Sequence, residues 1–193
     1  DEIIVMASGN SARDLVGMVW GGTGLGNAQT LETSLAYYSQ GSTTYYFECF
    51  DIAYEHISGT ALCAWGVDAS TNIESRNWLG TAWAASENTA VNVGTEAWWV
   101  RLTGDTNSDK IIVGAQDVNP DLNTFEWSGI SFGTVTEHAT ATAAAQLNRC
   151  FDVIYERSAT HSGHIMLVYG LANGTRYRHF DGNSWSVVRN LNR

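Results

Sequence analysis

The chain contains an internal repeat. Residues 49–55 read CFDIAYE and residues 150–156 read CFDVIYE, so five of the seven positions are identical. The likeness continues in IESRNWLGTAW (73–83) and TRYRHFDGNSW (175–185), which lie about 100 residues apart. Recurrence of this quality within one chain indicates that the fold is assembled from repeated structural units.

A second pair of segments extends the repeat over the whole chain. Residues 1–22 resemble residues 96–118, with Val5 aligned to Val100. The two families of segments alternate, and they predict one repeat domain, 1–193, made of four units of about 48 residues. The predicted units are residues 1–46, 47–94, 95–147 and 148–193.

Each unit has the pattern of a small antiparallel sheet. In the second unit, CFDIAYE, TALCAWGV and IESRNWL read as strands, and TAWAA follows a turn at Gly80. Short apolar or alternating runs separated by Gly, Asn or Asp are typical of strands in a meander. The sequence therefore predicts an all-β fold of four tandem four-stranded antiparallel units, each β-propeller-like in size. The segments 87–95 and 136–148 are interpreted as extended crossings between units.

The arrangement of the four units is left open by the pattern. ALCAWGV (61–67) and IIVGAQ (111–116) are apolar on both faces, which predicts sheets that are covered by neighbours on both sides. The four units can close as a ring, two chains can complete one larger ring, or the units can stack as an open repeat array. An open array exposes its end sheets and favours self-association.

The repeat resembles a known class of protein. The segments WWVRLTGDTNSDKIIVG (98–114), RCFDVIYE (149–156) and TRYRHFDGNSW are similar to the sialidase-like or BNR-like β-propeller repeats of large bacterial extracellular proteins. The resemblance covers essentially the whole chain. It implies a secreted or surface-displayed location, usually within a longer protein.

The charge of the chain excludes one class of partner. The net charge of −10 repels phosphate backbones, so nucleic acid is not an expected partner. No run of about 18 apolar residues is present, so membrane insertion is not expected. The expected partners are other copies of the repeat, which would make a homo-oligomer, and glycans.

Two sets of arginine and aromatic side chains are the candidate ligand-binding residues. They occupy equivalent positions of the repeat: Arg76, Trp78 and Trp83 in the second unit, and Arg178, Phe180 and Trp185 in the fourth. Flat aromatic rings stack on the C–H faces of sugars, and arginine donates hydrogen bonds to hydroxyl groups. The same spacing fits a hairpin whose two aromatic side chains pack against the edge of the unit. Both interpretations stay open at this point.

Acidic residues give a weaker signal for a metal ion. Two oxygen-rich loops resemble the start of a calcium site: Asp105, Asn107 and Asp109, and then Asp117, Asn119, Asp121 and Asn123. The glycine and the distal glutamate of a complete calcium loop are missing from both. No cofactor is therefore expected beyond a weak calcium site.

The repeated carboxylates favour a structural role over a catalytic one. Asp51 and Asp152, and likewise Glu55 and Glu156, are expected to bind turn backbones or neighbouring units, because buried carboxylates need partners. A glycosidase needs two carboxyl groups about 5–9 Å apart, and nothing in the sequence pattern predicts such a pair.

The sequence favours a non-catalytic function. The main hypothesis is an extracellular structural or adhesive repeat module, not an enzyme, that self-associates at the cell surface or in a filament. The alternative is a carbohydrate-binding, lectin-like propeller. A sialidase-like glycosidase fragment is the third hypothesis.

Overall fold

The protein is all-β, as predicted. The structure is a computed structural model that describes residues 3–8, 13–143 and 148–191. The described residues form seventeen strands and one short 3-10 turn, Ala159–His161, and they contain no α-helix. Within these ranges, no helical segment has the length and apolar character needed to cross a membrane.

The N-terminal part of the chain forms two separate sheets. The first sheet is antiparallel and contains β1 (Ile3–Ser8), β2 (Leu15–Trp20) and β3 (Leu25–Glu32). A two-stranded hairpin follows, with β4 (Tyr37–Gln40) and β5 (Thr43–Tyr46). The prediction of a four-stranded first unit is therefore wrong.

Aromatic packing holds this hairpin against a later part of the chain. Tyr38 and Tyr45 stack on each other with ring centroids 5.8 Å apart. Tyr38 also contacts Trp98, whose ring centroid lies 5.0 Å away and belongs to a later sheet. These ring contacts stabilise the hairpin on Trp98 of that later sheet, and the hairpin does not extend the first sheet.

The rest of the chain forms three four-stranded antiparallel sheets. The second sheet contains β6 (Phe50–Tyr54), β7 (Ala61–Gly66), β8 (Asn72–Trp78) and β9 (Val91–Asn92). The third contains β10 (Ala97–Gly104), β11 (Ile111–Asp117), β12 (Leu122–Trp127) and β13 (Thr136–Ala139). The fourth contains β14 (Phe151–Tyr155), β15 (Ile165–Leu171), β16 (Gly174–Phe180) and β17 (Arg189–Asn190). Five sheets result, none of them closed, and the exact unit boundaries stay a prediction.

Successive sheets pack face to face. β6 lies against β10, and β10 lies against β14. Every residue of β7 and β11 is buried, because neighbouring sheets cover both of their faces. This result confirms the prediction made from their continuous apolar runs. The core between the second and third sheets includes Leu62, Ile73, Val113 and Phe125.

The outermost strands come from the segments that were interpreted as crossings. β9 lies within residues 87–95 and β13 within residues 136–148, of which 144–147 lie outside the described residues. The segment 81–85, predicted as a fourth strand, makes one isolated bridge from Trp83 to Trp78 instead. A tight turn at Gly80 returns the chain opposite Trp78, and the ladder resumes only at β9.

Candidate functional site

The same aromatic turn ends the third strand of three sheets. Each turn joins two aromatic residues through an isolated β-bridge: Trp78 with Trp83, Trp127 with Phe132, and Phe180 with Trp185. The residue two positions after the first aromatic is a glycine with positive φ: Gly80 at 85°, Gly129 at 93° and Gly182 at 88°. A left-handed conformation is easily reached only by glycine, so these residues specify the turn locally.

Each aromatic turn faces the preceding sheet across a groove. The first groove, of about 290 Å³, lies between β3 and the turn at 78–83, and its lining includes Asn27, Gln29 and Trp83. The second groove, of about 630 Å³, lies between residues 87–92 and the turn at 127–132. The third groove, of about 310 Å³, lies between the third sheet and the turn at 180–185.

Trp83 in the first groove is held by the backbone of the first sheet. Its indole Nε1 donates a hydrogen bond to the carbonyl oxygen of Asn27 at 2.8 Å. A Cβ atom at position 17 would lie 2.6 Å from Cη2 of Trp83, so Gly17 leaves the space that the ring occupies. Trp83 also contacts Trp78 edge to face, with ring centroids 5.4 Å apart.

Arg76 lies outside the lining of the first groove. Its Nη2 atom pairs with Oε1 of Glu87 at 2.9 Å. Its Nε atom is buried and has no hydrogen-bond partner in the described part of the chain. The structure thus brings Trp78 and Trp83 together as expected but directs Arg76 to Glu87. A ligand-binding role for these three residues stays a prediction.

The second groove was missed by the sequence analysis. Its lining includes Trp127, Phe132, Glu87 and Asn88, and also Ile130, which is 87% exposed. Trp127 and Phe132 meet edge to face with ring centroids 4.9 Å apart. A signal was available, because WSGISF (127–132) has the same aromatic–x–Gly–x–x–aromatic spacing as the other two turns.

The third groove brings the second predicted set of residues together. Phe180 and Trp185 contact each other with ring centroids 5.3 Å apart, and both line the groove. The guanidinium of Arg178 lies 5.8 Å from the centre of the Trp185 ring. Arg178 Nε donates a hydrogen bond to the carbonyl oxygen of Ser186 at 2.8 Å, which fixes the guanidinium behind the turn.

The opposite wall of the third groove contains polar side chains beside the apolar Ile112 and Phe125. Thr124, Thr136 and Glu126 of the third sheet face Phe180 and Trp185. Oε2 of Glu126 accepts a hydrogen bond from the Tyr155 hydroxyl at 2.8 Å. Oε1 of Glu126 pairs with Nζ of Lys110 at 2.8 Å. These contacts place a carboxylate firmly in the wall of the groove.

His138, on β13, was not predicted and sits behind the third groove. Nη1 of Arg178 donates to its Nδ1 at 3.0 Å, because a guanidinium can only donate. The proton of the neutral ring is therefore on Nε2, which donates to Thr124 Oγ1 at 2.7 Å. The ring also packs edge-on against Trp185, with centroids 4.6 Å apart. Burial, and then the charge of Arg178, lower the pKa of His138 to about 3.

Three of the four repeated carboxylates bind neighbouring sheets, as expected, whereas Glu156 is 43% exposed and contacts His161 of the nearby loop instead. Asp51 Oδ2 accepts a hydrogen bond from the backbone N–H of Leu102 at 2.8 Å. Arg101 on β10 pairs with both Asp51 and Asp152, each at 3.2 Å, and so ties the first strands of three sheets together. Glu55 accepts a hydrogen bond from the Trp127 indole of the next sheet at 2.6 Å.

The two oxygen-rich loops are closed by hydrogen bonds of their own. Oδ1 of Asp105 accepts from the backbone N–H of Asn107 at 3.0 Å, and Oδ2 accepts from Ser108 Oγ at 2.7 Å. Oδ1 of Asp117 accepts from the backbone N–H groups of Asn119 and Asp121, at 2.9 and 3.0 Å. Within the described ranges, no group of three His, Cys, Asp or Glu side chains is placed to hold a metal ion.

Treatment with EDTA is expected to leave the melting temperature unchanged. Both carboxylate oxygens of Asp105 and Oδ1 of Asp117 accept hydrogen bonds that hold their turns, whereas the buried Oδ2 of Asp117 has no partner in the described part of the chain. Because the hydrogen bonds that hold these turns need no metal ion, removal of calcium is not expected to weaken them. Thermal unfolding followed by circular dichroism, with EDTA and with added calcium chloride, measures this. A melting temperature that rises with calcium would show that the weak site of the sequence-based hypothesis exists.

Comparisons with known proteins support the fold class. No protein-family model and no curated protein matches the sequence. A solved structure of AofleA from Arthrobotrys oligospora matches 98% of this chain and 53% of its own, with a TM-score of 0.62 and 10% identity. The Aleuria aurantia lectin, a fungal lectin with a six-bladed β-propeller fold, matches 100% of this chain and 57% of its own, with a TM-score of 0.54 and 12% identity. The NanB sialidase from Streptococcus pneumoniae matches 93% of this chain and 29% of its own, with a TM-score of 0.51 and 9% identity.

The fold is therefore of the β-propeller type. The chain spans about half the length of AofleA and of the Aleuria aurantia lectin. At these identities the likeness shows the fold alone, and the activities of the matched proteins are not transferred by it. The BNR-like character of the repeat and a bacterial source stay predictions.

Proposed function

We propose that the chain is a carbohydrate-binding module of the β-propeller type that binds sugars in the grooves between its sheets. The observation that carries this proposal is the recurrence of one aromatic turn, which lines a groove at three successive junctions. The likeness to the structure of the Aleuria aurantia lectin supports it. The alternative of the sequence analysis thereby becomes the favoured function.

The chemistry of the grooves suits a sugar. Aromatic rings at Trp83, Phe132 and Trp185 offer flat apolar faces, on which the C–H face of a pyranose stacks. Amide and hydroxyl groups nearby, such as those of Gln29, Asn88 or Thr136, are suited to hydroxyl groups of the sugar. Volumes of about 290 to 630 Å³ match small ligands.

The grooves favour neutral sugars over acidic ones. Glu87 lines the second groove and Glu126 the third, and the described linings of all three grooves contain no lysine or arginine. Arg76 is paired with Glu87. Arg178 donates hydrogen bonds to Ser186 and His138. In the second and third grooves an anionic sugar would meet a carboxylate whose cationic partner, Arg76 or Lys110, is already engaged, so a sialoside is expected to bind there more weakly than a neutral glycoside.

Alanine at Trp83 or Trp185 is expected to weaken sugar binding in the affected groove by about tenfold, because the stacking surface is lost. Binding of methyl α-L-fucoside, a neutral sugar, measured by NMR titration tests this for each groove. Trp20→Ala is the matched control, since Trp20 is 39% exposed and lines none of the three grooves. Unchanged binding of a panel of neutral glycosides in both variants and in Phe132→Ala, which alters the second groove, would remove the proposal.

The other functional hypotheses are separate from this proposal. Self-association, an extracellular location and a structural or adhesive role stay predictions, and no comparison supports self-association. Light scattering tests it, and a species of 21.0 kDa, the mass of one chain, would contradict it. The absence of catalysis also stays a prediction, which a panel of fluorogenic glycosides, sialosides included, would test.

A further inference from the structure

We infer that His138 is a positioning residue for the third groove, where a neutral imidazole holds Arg178 and supports Trp185. The inference rests on the proposed function for what the groove binds. The contacts that carry it are independent of any ligand.

The imidazole connects the third and fourth sheets. His138 lies on β13 and is 9% exposed. Its Nδ1 accepts the hydrogen bond from Arg178 of β16, and its Nε2 donates to Thr124 of β12. Each ring nitrogen therefore has one hydrogen-bond partner. Nδ1 must act as an acceptor and Nε2 as a donor, which is the arrangement of a neutral imidazole.

Only the neutral ring can fill this position. A protonated imidazole has two donors and no acceptor, so its Nδ1 would point an N–H group at the Arg178 guanidinium. Two cations would then face each other at 3.0 Å in a buried junction. Tyr169, whose hydroxyl donates to the His138 carbonyl oxygen at 3.5 Å, also lies at this junction, and it offers no negative charge near neutral pH.

The His138 ring contacts residues on both sides of the third groove. Thr124 and Trp185 line the groove from opposite sides, and His138 contacts both without lining it itself. Trp83 in the first groove is held differently, by a backbone carbonyl group. A change at His138 is therefore expected to alter the third groove and to leave the first groove unchanged.

The first test uses the unmodified protein and needs no ligand. Nitrogen-15 NMR of the histidine side chains reports which ring nitrogen carries the proton. We expect His138 to keep a proton on Nε2 and none on Nδ1 between about pH 7.5 and pH 5. A proton on Nδ1, or protonation of the ring within this interval, would overturn the inference.

The second test uses two variants. His138→Phe keeps a ring beside Trp185 but removes both hydrogen bonds, whereas His138→Gln keeps one donor and one acceptor. We expect the phenylalanine variant to increase the fast motion of the Trp185 indole N–H, measured by its heteronuclear NOE. Its affinity for methyl α-L-fucoside in the third groove should fall about tenfold, and that of the glutamine variant less than about threefold. The Trp83 indole signal is the internal control and should not change.

The outcomes separate the two proposals. Rigid Trp185 and unchanged third-groove affinity in the phenylalanine variant would show that His138 positions nothing. If the unmodified protein binds none of a panel of neutral glycosides, the proposed function fails. The role of His138 is then decided by its proton position and by the motion of Trp185 in the phenylalanine variant.

Discussion

Replacing Glu55 with alanine is expected to lower the free energy of unfolding by about 3 kcal/mol. Glu55 is 3% exposed, and its Oε1 accepts a hydrogen bond from the Trp127 indole at 2.6 Å. Its Oε2 accepts from the hydroxyl groups of Ser58 and Thr60, each at 2.5 Å. Alanine leaves the buried Trp127 indole N–H without its acceptor, and the exposed Ser58 and half-buried Thr60 hydroxyl groups lose theirs as well. Because Trp127 belongs to the next sheet, the loss weakens the junction between the second and third sheets.

Urea unfolding followed by circular dichroism measures this change, and a fall in melting temperature of about 6–12 °C should accompany it. The repeat itself provides the matched control. Glu156 occupies the equivalent position, but its side chain is 43% exposed and contacts His161 at 3.0 Å. Glu156→Ala is expected to change the free energy of unfolding by less than about 0.5 kcal/mol. Equal effects of the two substitutions would show that the buried network around Glu55 does not stabilise the junction.

Acidification is expected to destabilise the protein through His138 by about 2 kcal/mol between pH 7.5 and pH 5. The pKa of His138 falls from an ordinary 6.5 to about 3 on folding, chiefly because the ring is buried and then because Arg178 is near. Between these two values the unfolded chain binds the extra proton and the folded chain does not. Stability therefore increases with pH across this interval and is lost as the pH falls through it.

The comparison with His138→Gln isolates this contribution. Glutamine does not titrate, so the free energy of unfolding of the variant should lack this part of the pH dependence. Urea unfolding of both proteins at a series of pH values gives the difference, and the contributions of the other titratable groups cancel in it. A difference that does not change with pH would mean that His138 is protonated in the folded protein as readily as in the unfolded chain.

Local features of the fold were predictable from the sequence. The aromatic turns depend on neighbouring residues alone, because glycine supplies the positive φ and the two aromatic side chains pair across the turn. The burial of both faces of β7 and of the apolar part of β11, residues 111–115, was also predictable, since each is a continuous apolar run. Such signals require no knowledge of which sheets meet. The burial of Gln116 and Asp117 at the end of β11 does not follow from an apolar pattern.

Contacts between residues far apart in the chain were not predictable from the sequence. The hairpin at 37–46 has a good strand pattern, yet it packs on Trp98 instead of extending the first sheet. Arg76 and Arg178 hold equivalent repeat positions, yet one binds Glu87 and the other binds His138 and Ser186. His138 carries no local signal at all, because its role depends on two other strands.

The sequence by itself determined the repeat, the all-β class and the three aromatic turns, because each of these is set by periodicity or by backbone conformation within a few residues. The tertiary structure alone decided that the turns line grooves and that Glu55 is buried whereas Glu156 is exposed. The reason is that burial and hydrogen-bond partners depend on which faces meet when the sheets pack, and residues far apart in the chain settle this together.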